Sequence, residues 1–157
     1  MNKTNNLSRE FMLEAIKEAK KAYNKNEVPV GCVIVYNGKI LSKAHNLNIT
    51  LNDPTAHAEI LAIKKASKKI NNYRLNDCEL YVTLEPCPMC AGAIVNARIK
   101  KVFYAIEDPK AGSCKSVLNI VNNNKLNHQA EIYGGICKKE AKNLLKRFFE
   151  RLRNQRG

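Results

Sequence analysis

The sequence predicts an α/β layer fold: a central mixed sheet of about five strands with helices on both faces. Three observations carry this. Val28-Pro29-Val30-Gly31-Cys32-Val33-Ile34-Val35-Tyr36 is apolar and β-branched, and Asn37-Gly38 behind it supplies two residues suited to positive φ, the sign of a tight hairpin. Further short apolar runs at 79–84, 101–105 and 131–133 are separated by stretches of helical character. Two amphipathic helical patterns, one near each end, carry apolar stripes that would cover sheet faces.

In chain order, Ser8 is positioned to cap a first helix running to about Asn24, with Phe11, Met12, Ala15, Ile16, Ala19 and Tyr23 at helical spacing. A first strand follows over 28–36 and a return strand over about Lys39 to Ala44. His45 and Asn46 then enter a polar loop, Leu47 to Asp53, the kind of place where a sheet scaffold presents binding groups. Asp53-Pro54-Thr55 reads as a helix start, with Pro54 near the first helical position, Asp53 or Thr55 as the cap, and the helix spanning about Ala56 to Ala66 or somewhat beyond. A strand from Glu79 to Leu84 leads into a helix opened by Pro86, and another strand covers about Lys101 to Ala105. Val117 to Val121 is expected as a short helix and Glu131-Ile132-Tyr133 as an edge strand. A final helix, about 138–153, sets Ala141, Leu144, Leu145, Phe148 and Leu152 against a face crowded with lysine and arginine. No repeat, linker or low-complexity boundary interrupts the 157 residues, which predict one domain over 1–157.

The 27 basic against 14 acidic residues leave a net charge of +13, which favours a polyanionic partner such as nucleic acid. The N-terminus is polar, and no segment has the apolar length that spans a bilayer, so a cytoplasmic protein without a membrane partner is expected. In that reducing compartment, six cysteines are not a disulfide framework. Cys32 and Cys78 lie within apolar runs and read as core residues, and Cys114 and Cys137 receive no role.

Cys87 and Cys90 are three apart after Pro86, which places both sulfurs on one face of a helix N-terminus. With His57 they offer two thiolates and one imidazole to Zn²⁺, three tetrahedral ligands and a position left to solvent, the pattern of a catalytic rather than a structural site. His57 and Glu59 are two apart on a helix and point to opposite sides of its axis. Helical side chains tilt toward the N-terminus, however, so both can converge on a site beyond the helix end. A structural zinc would need a fourth ligand, for which His45 and His128 are the available imidazoles.

The pairing of His57-Ala58-Glu59 with Pro86-Cys87-Pro88-Met89-Cys90 carries the His-x-Glu and Pro-Cys-x-x-Cys signature of zinc nucleobase deaminases. From about Ser8 to Arg153 the chain resembles the bacterial tRNA-specific adenosine deaminases of the cytidine deaminase superfamily. The resemblance is carried by Glu27-Val28-Pro29-Val30-Gly31, Ala44-His45-Asn46, Asp53 through Glu59, Tyr73-Arg74-Leu75, Tyr81 through Gly92, Asp108-Pro109-Lys110, Asn127-His128 and Phe148-Phe149. It implies a cytidine-deaminase-like three-layer α/β/α fold, one Zn²⁺ per subunit on His57, Cys87 and Cys90, and Glu59 as the carboxylate that moves protons. Glu85 is the rival acid, otherwise read as ordering the strand-to-helix turn.

The resemblance also implies conversion of the wobble adenosine of a tRNA anticodon loop to inosine by a homodimer, each site built partly by the neighbouring subunit. Substrate contacts are then expected from Asn46, Val28, Pro29, Ala58, Arg74, Asp108, Lys110, Phe148 and Arg151, the last two on a C-terminal helix lying along the anticodon loop. Two departures stand out. Pro88 gives a form of the cysteine motif also familiar in small deaminases of free guanine or cytosine, and Lys115 occupies a place where the tRNA-acting proteins commonly have glycine. Deamination of a free guanine or cytosine, and a non-catalytic zinc-stabilised RNA-binding domain, are the other readings the sequence leaves open.

Overall fold

The structure is a computed structural model and describes residues 3–156. A first helix, α1 (Lys3–Asn24), precedes a hairpin of β1 (Gly31–Tyr36) and β2 (Lys39–His45). Then come α2 (Asn48–Leu51), α3 (Ala58–Ile70), β3 (Cys78–Leu84), α4 (Pro88–Ala97), β4 (Lys101–Ile106), β5 (Glu131–Gly134) and α5 (Lys138–Arg156). The strands form one sheet in the order β2-β1-β3-β4-β5. β1 pairs antiparallel with both β2 and β3, while β3, β4 and β5 run parallel, so the sheet is mixed, with five strands as expected.

Period-two alternation divides the sheet residues between two cores. Cys32, Ile34, Leu80, Val82, Val102 and Tyr104 pack against α3 and α4 on one face. Val33, Val35, Tyr81 and Phe103 meet α1 and the start of α5 on the other. The result is the three-layer α/β/α arrangement. Cys32 and Cys78 are fully buried in the first core, as their apolar surroundings predicted.

Several boundaries differ from the sequence reading. Ser8 does not cap α1: the helix begins upstream at Lys3, and the Ser8 hydroxyl instead accepts a hydrogen bond from the Tyr81 phenol at 3.5 Å. β1 starts at Gly31, not Val28, because the Val30 amide donates to the Val28 carbonyl in a tight turn and leaves the ladder. The loop over 47–53 contains the one-turn helix α2, whose first amides are held by the buried carboxylate of Glu27. Val117–Val121 forms turns rather than a helix, since its amides donate back to the carbonyls of Gly112 and Ser113. Asn37 and Gly38 do take positive φ, 52° and 73°, and close the hairpin as expected.

Gly31 is required by contact rather than by φ. A Cβ there would lie 1.9 Å from the Ala15 carbonyl oxygen and 2.5 Å from the Ala19 amide nitrogen, so α1 presses its backbone directly onto β1. Backbone atoms in a packed helix cannot step aside. Gly31→Ala is therefore expected to destabilise the protein by about 3 kcal/mol or more, measured as a shift in the urea midpoint; a loss below about 1 kcal/mol would mean that α1 can slide on the sheet.

Candidate active site

The carboxyl ends of β3 and β4 and the N-termini of α3 and α4 meet at one edge of the molecule. His57 is the N-cap of α3 and Cys87 the N-cap of α4, both with extended backbone, and Pro88 rather than Pro86 occupies the first turn of α4. Cys90 follows within that turn. Asp53, Pro54 and Thr55 do not start α3: the Asp53 carboxylate is engaged by the Thr55 amide and hydroxyl at 2.8 and 2.7 Å in a turn of its own. The first amide of α3, that of Ala58, donates instead to the side-chain oxygen of Asn46 at 2.7 Å. The cap thus comes from the end of β2, across the fold.

His57 Nδ1 lies 3.5 Å from the sulfur of Cys87 and 3.5 Å from that of Cys90. For a tetrahedral Zn²⁺ with bonds of about 2.3 Å to sulfur and about 2.05 Å to nitrogen, the sulfur–nitrogen separation comes to about 3.6 Å, so the donor set fits the metal in both chemistry and spacing. Among the described residues, these three form the candidate metal-ligating group. The fourth-ligand reading fails on geometry. His45 is bound through Nδ1 to Glu18 at 3.1 Å and through Nε2 to Lys25 at 3.0 Å, and His128 Nε2 meets the Ile99 carbonyl at 2.7 Å.

The hydrogen bond from the Cys90 thiol, together with His57, outweighs burial and brings the Cys87 thiol down to about 4, the thiolate form a metal requires. The same bond to Cys87, and burial, push the Cys90 thiol up. Glu59, in the first turn of α3, is 4 % exposed. Burial pushes its carboxyl up to about 7 against the pull of its own backbone amide and of His57. A carboxyl poised there can accept and return a proton at neutral pH.

The other expected contacts divide. Asn46 and Ala58 are at the site, joined by the bond just described. Val28 and Pro29 are beside it, because the Asn46 amide donates to the Val30 carbonyl; Pro29 is buried and Val28 is exposed. Asp108 does not offer a free carboxylate: its Oδ1 accepts from the amides of Lys110 and Ala111 at 3.0 and 3.3 Å and sets the turn that presents Lys110. Arg74 lies elsewhere in the subunit, next to Leu75, whose amide is bonded to Ala97 at the far end of α4, a helix about 15 Å long. Phe148 and Arg151 require correction as RNA contacts. Phe148 is 2 % exposed and packs edge-on to Tyr23. Arg151 stacks 4.0 Å above the Tyr23 ring and donates to the Tyr23 carbonyl at 2.9 Å, tying α5 to the end of α1.

The exposed aromatic is Phe149, which shares a concave surface of about 450 Å³ with Lys110, Leu152, Arg153 and Arg156. The sequence signals an aromatic-cationic helix here, but only packing decides which of two adjacent phenylalanines turns outward. Phe149→Ala is expected to raise the KM for an RNA substrate about tenfold, the loss of roughly one stacked base, without lowering the Tm. Phe148→Ala should instead cost about 3 kcal/mol of stability. Equal effects of the two on KM would assign the stacking elsewhere.

Glu85 is a larger organiser than its expected role in the strand-to-helix turn. Its oxygens accept from the amides of Asp108, Cys114, Lys115 and Ser116 at 2.9 to 3.1 Å, and also from the Ser116 hydroxyl. It therefore holds the 108–116 loop from within. Gly112 is the companion requirement, since a Cβ there would lie 2.5 Å from the Glu85 carboxyl. Burial alone would raise this carboxyl, but the Ser116 hydroxyl and the surrounding amides hold it below the ordinary value of 4.5. A lowered folded value means that the stabilisation is complete above pH 4.5 and is lost as pH falls below it, through the folded value. Glu85→Gln should cost about 2 kcal/mol at pH 7 and flatten the acid limb of the stability curve. An unchanged acid limb would show that the loop is held by other groups.

Fold and site together define a hydrolytic deaminase of the cytidine-deaminase-like class, with one histidine and two cysteines that could hold a metal ion. A family model for MafB19-like deaminases matches residues 6–153. A tRNA-specific adenosine deaminase from Aquifex aeolicus is 51 % identical over 144 residues, which cover 92 % of this chain and 95 % of the relative. Among solved structures, one from a study of A-to-I editing by tRNA:A34 deaminases at the wobble position has a TM-score of 0.84 at 40 % identity, covering 87 % of this chain and 99 % of that one. A guanine deaminase from Bacillus subtilis aligns with a TM-score of 0.60 at 47 % identity over 68 % of this chain and 66 % of its own. The chain belongs to the tRNA-specific adenosine deaminase family within the MafB19-like deaminases.

Proposed function

We propose that this protein deaminates the wobble adenosine of a tRNA anticodon loop to inosine, with one Zn²⁺ per subunit held by His57, Cys87 and Cys90. The observation that carries the chemistry is the 3.5 Å spacing of the three ligands beside the buried carboxyl of Glu59. The relative named tRNA-specific adenosine deaminase at 51 % identity over nearly the whole chain, with the wobble-editing structure at 40 %, supports adenosine in tRNA over a free base.

Zn²⁺ in this setting supplies Lewis acidity, lowering the pKa of a coordinated water toward about 7. Glu59 would take a proton from the attacking water and deliver it to purine N1 as oxygen adds to C6. It then passes the remaining proton to the amine, so that adenosine and water give inosine and ammonia. Asn46 is fixed by accepting from Ala58, which leaves its amide N–H groups for the ribose or base edge. Val28 and Pro29 wall the base, and Lys110 and Phe149 receive the flanking nucleotides.

The same reading includes a homodimer in the cytoplasm. Arg74 reaches a substrate only if a neighbouring subunit brings it, since in its own chain it stands at the far end of α4. No helix of the described residues is long and apolar enough to cross a membrane. The deciding experiment incubates purified protein with a tRNA bearing adenosine at the wobble position and digests the product for nucleoside mass spectrometry. Inosine at that position is expected. Ammonia from free guanine with no inosine in the tRNA would transfer the assignment to the free-base reaction.

A further inference from the structure

A cavity of about 630 Å³ lies between the start of α5 and the outer flank of the 106–116 segment, lined in part by Lys115, Lys138 and Lys142 with Ser116 and Glu107. Glu107 pairs with Lys115 at 3.4 Å, so three lysines against one glutamate leave the cavity with a charge of +2. Lys138 and Lys142 make no ion pair among the described residues, which leaves two ammonium groups facing a space with room for a ligand.

This cavity lies on the same side of α5 as the Phe149 surface. At 100° per residue, positions 138, 142, 149, 153 and 156 fall within an arc of about 60° on α5, adjoining the stripe of Ala141, Leu144 and Phe148 that enters the core. The 106–116 segment flanks that arc at both ends: Glu107, Pro109 and Lys115 meet the lysines, and Lys110 meets Phe149 and the arginines. Two concave surfaces, each with cationic groups, thus lie along one side of α5 over a helix length of about 27 Å. Lys115 is not among the described residues of positive φ, so the backbone accepts its side chain there without strain.

We infer that Lys115, Lys138 and Lys142 form a phosphodiester-binding subsite for the RNA strand, extending the substrate contact along α5 beyond the nucleotides at the active site. The occupant is an RNA backbone rather than a free anion, because the lysines lie on the same side of α5 as a surface that joins an exposed aromatic to cations, the pairing that binds single-stranded nucleic acid. The inference rests on the proposed reaction for its substrate class, and its test is independent of turnover.

The test compares wild type with the triple variant Lys115→Ala, Lys138→Ala, Lys142→Ala. Binding of a labelled anticodon stem-loop is read by fluorescence anisotropy from 50 to 300 mM KCl, and initial rates of inosine formation are read in parallel. Removing three phosphate-binding ammonium groups should lower the slope of log K against log salt by about 2. Affinity at 150 mM should fall about tenfold or more, with the kinetic loss in KM rather than kcat. Replacing the three lysines by arginine should restore both. A control lacking Lys20, Lys39 and Lys68, exposed on other faces, removes equal charge. An unchanged slope in the triple variant, or an equal loss in the control, would overturn the subsite. A wild type that binds with the expected slope and makes no inosine would instead count against the proposed reaction alone.

Discussion

Glu59→Gln is expected to lower kcat/KM by at least about 10³-fold while leaving one zinc per subunit. Glutamine is nearly isosteric and Glu59 is not needed as a ligand, so the metal group should survive. The amide cannot accept the first proton or return it to the ring nitrogen and the amine. Positioned proton transfer contributes about 10² to 10⁴ per step, and one carboxyl here serves several steps. Burial that brings it to about 7 suits both directions of transfer. The measurements are single-turnover rates on a stem-loop substrate and metal content by mass spectrometry. A variant that keeps zinc and runs within tenfold of wild type would remove Glu59 from proton transfer; one that loses zinc would show that the carboxylate supports the ligands instead.

Cys90→Ala is expected to abolish both metal retention and turnover. Two ligands cannot hold Zn²⁺ in a closed set, and without it the pKa of water returns to about 15.7 from about 7, so residual activity should fall below about one part in 10⁴. Cys90 lies within the first turn of α4 and is fully buried, so the small alanine side chain leaves a modest cavity and the fold should persist. Zinc added to chelator-treated wild type should restore activity and raise the Tm. At free zinc a thousand times Kd, the gain is about 4 kcal/mol. In Cys90→Ala, zinc should do neither. Stoichiometric zinc in this variant would mean that another group closes the set, and the open catalytic site would be lost.

The parts legible in the sequence were those encoded locally. The hairpin at Asn37-Gly38, the apolar alternation of the strands and the stripes of α1 and α5 depend on near neighbours, and all five expected strands form, β1 three residues later than the pattern put its start. The helix starts at the site differ from the local pattern because their caps are not local. Asp53-Pro54-Thr55 and Pro86 look like helix openings, yet α3 takes its cap from Asn46 just past β2, and Cys87 rather than Pro86 stands at the N-cap of α4. Phe148 and Arg151 suited RNA by residue type, but both are spent on Tyr23.

By itself, the sequence determined the family and marked the candidate donor set and the candidate acid, because a metal ligand or an acid is defined by its functional group, and spacing along the chain reveals the group. Only the tertiary structure decided which neighbours those groups meet. It put two imidazoles out of reach of the metal group, turned Glu85 into the internal support of the 108–116 loop, and exposed Phe149 in place of Phe148. Burial and long-range hydrogen bonds join residues tens of positions apart, and no local pattern records them.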